Sequence, residues 1–100
     1  MKTTIQQIDQ QLVALLEGEL DTAAAVEAQK QLKPLFDNTT LDTVLDCTAL
    51  QYISSSGLRL FLSILKNGKT HGFKVQLKGL NPDLVKVFKM TGFYSLFEIL

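Results

Sequence analysis

The chain has 100 residues, ten of them basic and ten acidic, with one histidine, one cysteine and no tryptophan, so its formal charge at pH 7 is zero. That length holds one domain around one core, residues 1–100 as a single unit, and the balanced charge leaves neither the basic field of a nucleic-acid binder nor a polybasic run for an anionic membrane. Cys47 has no partner for an internal disulfide, and the region after Met1 lacks the segments of a secretory signal, which points to a reducing cytoplasm.

In chain order, Ile5 to Ile8 and Leu12 to Leu16 read as two strands joined as a hairpin through Asp9-Gln10-Gln11. From Asp21 to about Phe36 the chain is rich in Ala, Gln, Glu and Lys and sets Ala25, Ala28, Leu32 and Leu35 on one helical face. Asp21 or Thr22 caps this helix, and Pro34 kinks or ends it, because proline lacks the donor and clashes with the preceding turn. Asp42 to Thr48, with Val44, Leu45 and Cys47, is a short buried strand. Cys47 within it is a structural thiol, not a nucleophile.

A second helix is expected from Gly57 to about Lys69, with Lys66 and Lys69 at the end that suits its dipole and Gly68 or Gly72 to stop it. Phe73 to Leu77 is a further strand. Asn81-Pro82-Asp83 opens a third helix whose inner face is Leu84, Val87, Phe88 and Thr91, ended by Gly92, and Leu96 to Leu100 closes the chain as a strand. Alternation of strands and helices predicts an α/β fold, a single-layer mixed sheet of about five strands with about three helices.

At about 100° per residue, Leu58, Leu60, Phe61, Leu62, Ile64 and Leu65 occupy an arc of roughly 200° on the second helix, wider than one sheet face requires. Either a neighbouring helix covers the surplus, or Leu60 and Ile64 border a docking surface. The stretch from Leu58 to Leu65 is broken by Arg59 and Ser63 and falls far short of the roughly 20 residues that span a bilayer, so no direct membrane insertion is expected.

The chemistry concentrates in Ser54-Ser55-Ser56, between the third strand and the second helix. A hydroxyl there meets unpaired backbone N–H groups and the positive end of the helix dipole, a place that receives or holds phosphate. Enzyme arrangements are missing: the residue two before Ser55 is Ile53, not the glycine of a hydrolase elbow, and His71 lies beyond the far end of the helix. Neither a phosphate-binding nor a dinucleotide glycine loop occurs, nor a metal-ligand cluster, so no cofactor is expected.

Leu45-Asp46-Cys47-Thr48 followed by Tyr52-Ile53-Ser54-Ser55-Ser56-Gly57-Leu58 resembles the signature of the STAS domain, found in bacterial anti-sigma factor antagonists and sulfate-transporter tails. Gly18-Glu19-Leu20-Asp21 resembles the family's Gly-x-Leu-Asp element, and Val87 to Phe93 with Leu96-Phe97 resembles its closing helix and strand. The resemblance implies a non-enzymatic partner switch that binds an anti-sigma factor of the GHKL kinase type, is phosphorylated by it on serine, and is restored by a PP2C-type phosphatase. Carried onto this chain, the acceptor is Ser55, with Ser54 and Ser56 as alternatives. Asp21, Ser54, Ser55, Ser56, Gly57, Leu60 and Ile64 form the expected partner surface, and Asp46 is the carboxylate at the strand end. Where the family has an acidic residue just before the acceptor, this chain has Ser54. Two other roles fit the same end of the helix: a subunit packed permanently against a lipid-transport ABC ATPase, and an anionic-ligand module that binds a nucleotide.

Overall fold

A computed structural model describes all residues, 1–100. One five-stranded sheet has its strands side by side in chain order: β1 (Lys2–Ile8), β2 (Gln11–Leu20), β3 (Asp42–Ile53), β4 (Val75–Lys78) and β5 (Glu98–Ile99). The first pair is antiparallel and the other three are parallel. Asp9, at a φ of 54°, turns the hairpin, a left-handed conformation that aspartate tolerates better than most residues.

The sequential order has a direct consequence. Parallel crossovers are right-handed as a rule, and here each steps in the same direction, which sets the helices α1 (Thr22–Gln31), α2 (Lys33–Phe36), α3 (Ser55–His71) and α4 (Pro82–Met90) on one face. Along β2 the inward residues Leu12, Ala14, Leu16 and Leu20 are buried while Val13, Leu15 and Glu17 are only half-buried. The core lies between sheet and helices, with Leu45 and Cys47 from β3, Phe61 and Ile64 from α3, and Leu84 and Phe88 from α4. Phe61 and Phe88 stack at 6.1 Å between ring centroids, and Phe97 meets Phe88 edge-on at 6.1 Å, pinning α4 to α3 and to the residue that leads into β5.

Several boundaries differ from expectation. The first helix breaks at Leu32, and Pro34 falls in the opening turn of the four-residue α2, where its missing N–H costs nothing; the helices therefore number four, one a single turn. β3 continues past Thr48 to Ile53, because Ala49, Leu50, Tyr52 and Ile53 pair with Glu17, Gly18, Glu19 and Leu20 of β2 across two register shifts. α3 starts at Ser55, two residues before Gly57, and runs to His71, where Gly72 stops it at a φ of 81° with its N–H on the Gly68 carbonyl at 2.7 Å. β4 is shifted to Val75–Lys78, and the closing strand shrinks to Glu98–Ile99 behind a 3-10 turn, Tyr94–Leu96. Thr91 is not on the inner face of α4: it is the exposed C-cap, its Oγ1 donating to the Val87 carbonyl at 2.8 Å.

Candidate functional site

The strand ends of β2 and β3 meet at Leu20 and Ile53, and both following helices start there, on the carboxyl side of the parallel strands where α/β folds place their sites. Asp21 caps α1, its Oδ1 accepting from Ala24 N–H at 2.7 Å. Ser54 caps α3 in the same way: its Oγ accepts from Gly57 N–H at 3.2 Å, and its own N–H donates to the Leu20 carbonyl at 2.8 Å. These contacts tie the serine loop to the end of β2 and leave Ser54 only 7% exposed.

The three serines are thereby separated. Ser54 is buried and committed to the cap, Ser55 is the exposed first residue of α3, and Ser56 is half-buried. As an alternative acceptor Ser54 is corrected by this geometry, since a kinase would have to unseat a buried cap to reach it. Gly57 is a packing requirement: a Cβ on it would lie 2.7 Å from Leu20 Cγ and 2.8 Å from Ile53 Cγ1. It has no side chain to offer a partner.

The wide apolar arc of α3 is mostly absorbed by its neighbours. Leu58, Leu60, Phe61, Ile64 and Leu65 are buried, Leu62 is half-buried, and α1 and α2 pack along one side of α3 while α4 packs along the other. Ile64 is 0% exposed, so it belongs to the core and not to a docking surface. Leu60 is buried too, yet it lines a shallow groove of about 280 Å³ between α1 and α3, with Thr22, Val26, Gln29, Ser56 and Arg59. Val26, 63% exposed, sits in that groove. Val26 and Arg59 were not singled out in the sequence, where Val26 looks like one more apolar helix residue; a cation near a helix N-terminus was the available signal for Arg59.

Asp46 stands elsewhere. Its Oδ1 accepts from Thr48 N–H at 3.0 Å and from Thr48 Oγ1 at 2.6 Å, in the middle of β3, and it lines the bare face of the sheet with Val13, Leu15, Val44 and Lys78. The expected carboxylate at the strand end is therefore seven residues short of Ile53. Cys47 beside it is buried, and burial first, with the Asp46 carboxylate second, pushes its thiol up from 9.0 to about 12. A thiol held neutral is no nucleophile. His71 bonds the Asn67 carbonyl through Nδ1 at 3.0 Å and stacks on Phe73, far from the serines along α3. No group of three or more His, Cys, Asp or Glu is arranged to hold a metal, and no helix is long and apolar enough to cross a membrane.

The sequence profile of the STAS domain matches residues 2–100. The chain belongs to the STAS family. A Bordetella bronchiseptica protein named as an anti-sigma factor antagonist, BtrV, is 35% identical over 99 residues, covering 99% of this chain and 85% of its own. The anti-sigma-B factor antagonist of Staphylococcus aureus is 27% identical over 82 residues, 82% of this chain and 76% of its own. These relatives mark the chain as a STAS protein of the anti-sigma factor antagonist type. The fold agrees: the anti-sigma factor antagonist SpoIIAA in its unphosphorylated form superposes with a TM-score of 0.75 at 19% identity, covering 99% of this chain and 87% of its own. An antagonist from Mycobacterium paratuberculosis does so with a TM-score of 0.82 at 22% identity, over 98% and 83%. The mixed five-stranded STAS sheet expected from the sequence is the one observed, with α2 as an additional single turn.

Proposed function

We propose that residues 1–100 act as one phosphorylation-controlled partner switch in the cytoplasm. Unmodified, the protein binds an anti-sigma factor of the GHKL kinase type and so frees the sigma factor; phosphorylated on Ser55 by that kinase, it lets go; a PP2C-type phosphatase returns it to the binding form. The chain is the kinase's substrate and not itself an enzyme, and it needs no cofactor. The observation that carries this reading is the division of labour at the start of α3, where Ser54 holds the cap and Ser55 presents a free, exposed hydroxyl. In the transfer, a bond forms between Ser55 Oγ and the γ-phosphorus of ATP as the β,γ-bridging P–O bond breaks; ADP leaves and the hydroxyl proton is released.

A phosphate adds about −1.5 to −2 charges. At a helix N-terminus such an anion is favourable by about 0.3–1 kcal/mol, so the isolated domain stays folded. At a packed interface the same charge faces a different balance. A partner carboxylate about 4 Å away, at an effective dielectric near 20, is repelled by about 4 kcal/mol, which is about three decades of affinity. Asp21, exposed at the start of α1 beside the serine loop, completes the proposed footprint with Ser55, Ser56 and the rim of Leu60. The missing acid before the acceptor does not remove the hydroxyl, and Ser54 in its place supplies the cap.

Calorimetry with the GHKL-type anti-sigma factor of the same organism tests this. Ser55→Ala should bind as the parent does, and Ser55→Asp should lose about three decades of affinity. Equal affinity of the two variants would overturn the switch.

A further inference from the structure

The charges on α3 are unevenly arranged. The helix has no acidic residue; Lys66, Lys69 and His71 stand toward its C-terminal end, where the dipole welcomes cations. Arg59 stands apart from them. It lies just over one turn from the positive end of α3, away from the pole that favours a cation, and it is exposed. No carboxylate approaches it within ion-pair distance, since Lys33–Asp37 is the only salt bridge in the molecule. An exposed guanidinium without an anionic partner is available to one.

The anion arrives with the modification. Ser55 and Arg59 are four positions apart on one helix, which puts them on the same face with their Cβ atoms about 6 Å apart. The order is also the favourable one, anion toward the N-terminus and cation toward the C-terminus. We propose that Arg59 is the intramolecular receiver of the phosphate on Ser55, its guanidinium folding back along the first turn of α3 to hold the phosphoryl oxygens in a charge-assisted pair. This rests on Ser55 being the acceptor.

A guanidinium offers two parallel N–H donors to a phosphate, which fixes the direction of the group as well as its charge. In the unmodified protein, Arg59 lines the groove against α1 with Thr22, Val26 and Ser56 and is free to meet a docking partner. Once it pairs with the phosphate, that cation is withdrawn from the groove. Phosphorylation then changes the docking face twice, by adding an anion and by removing a cation. The other charged groups at this end of the sheet, Glu19 and Asp21, are acidic and raise the second pKa of a phosphate, whereas Arg59 lowers it; Lys30 of α1 and Lys33 of α2 line the adjoining groove.

The test is a ³¹P NMR pH titration of the full chain with phosphoserine installed at position 55 during translation. It compares the parent with Arg59→Gln and Arg59→Lys, each checked for folding by circular dichroism. A free phosphoserine has its second pKa at about 6. Arg59 should hold it about 0.3 unit below the value in Arg59→Gln, with part of the difference restored in Arg59→Lys and all of it shrinking as salt is raised. Coincident titrations of parent and Arg59→Gln would overturn the pair and leave the switch itself standing. Because the phosphate is installed without a kinase, a Ser55 that is never modified in the cell would sink the switch and leave this comparison intact.

Discussion

The two ends of α3 are built on opposite terms. At the C-terminal end every local rule is obeyed: Gly72 takes the left-handed stop, Gly68 lets the returning chain pass, and Lys69 and His71 stand where the dipole favours them. At the N-terminal end Ser54 obeys the capping rule, but the next serine is left exposed and the nearest charge on the helix is the unpaired cation Arg59. One end only terminates a helix; the other is the end to which the proposed switch assigns the phosphate. At the first the local signals are all satisfied within the helix; at the second a free hydroxyl and an unpaired cation stand four residues apart.

The N-terminal end of α3 is the more sensitive to substitution, through binding. Ser55→Asp, at about 4 kcal/mol of lost partner affinity, is the largest expected effect, and it should leave the melting temperature within a few degrees. Next comes the structural end. Gly68→Ala places a Cβ 2.9 Å from the Phe73 carbonyl oxygen and 2.7 Å from Val75 Cγ2, and this overpacking should cost about 1–3 kcal/mol in urea unfolding without changing the affinity of whatever survives.

The floor beneath both ends carries a pH dependence. The Cys47 thiol is neutral in the folded state up to about 12 while an exposed thiol ionises near 9.0. The unfolded chain therefore binds fewer protons between those values. The stabilising contribution is complete below 9.0 and drains away as pH rises toward about 12, by about 1.4 kcal/mol per unit. Urea midpoints of the parent and Cys47→Ala should converge over that range, and a thiol reagent at neutral pH should label Cys47 only after unfolding. Ser54→Ala should cost about 1 kcal/mol through loss of the cap. The smallest effect sharpens the contrast: Ser55→Ala should leave stability within about 0.5 kcal/mol and abolish phosphate incorporation when the kinase and ATP are added.

Much of the frame was legible because its signals are local. Asp21 and Asn81 cap as their side chains and positions dictate, Pro34 interrupts the first helix, and Gly72 ends α3. The end of β3 was not legible. Ala49 to Ile53 alternates too weakly to announce a strand, and only pairing with the bulged end of β2 holds it extended. That extension moved the start of α3 back to Ser55, and with it the roles of all three serines. Thr91 was misplaced for a related reason, since periodicity continues on paper after the helix has stopped.

The sequence by itself determined the family, the order of strands and helices and the neighbourhood of the site, because caps, turn residues and apolar spacing act within a few residues of themselves. The tertiary structure alone decided which hydroxyl is free and which apolar residues of α3 remain at the surface. Ser54 is buried by the end of β2 and Ile64 by the sheet and helices around it, and no spacing along the chain records which other segment will press against a given side chain.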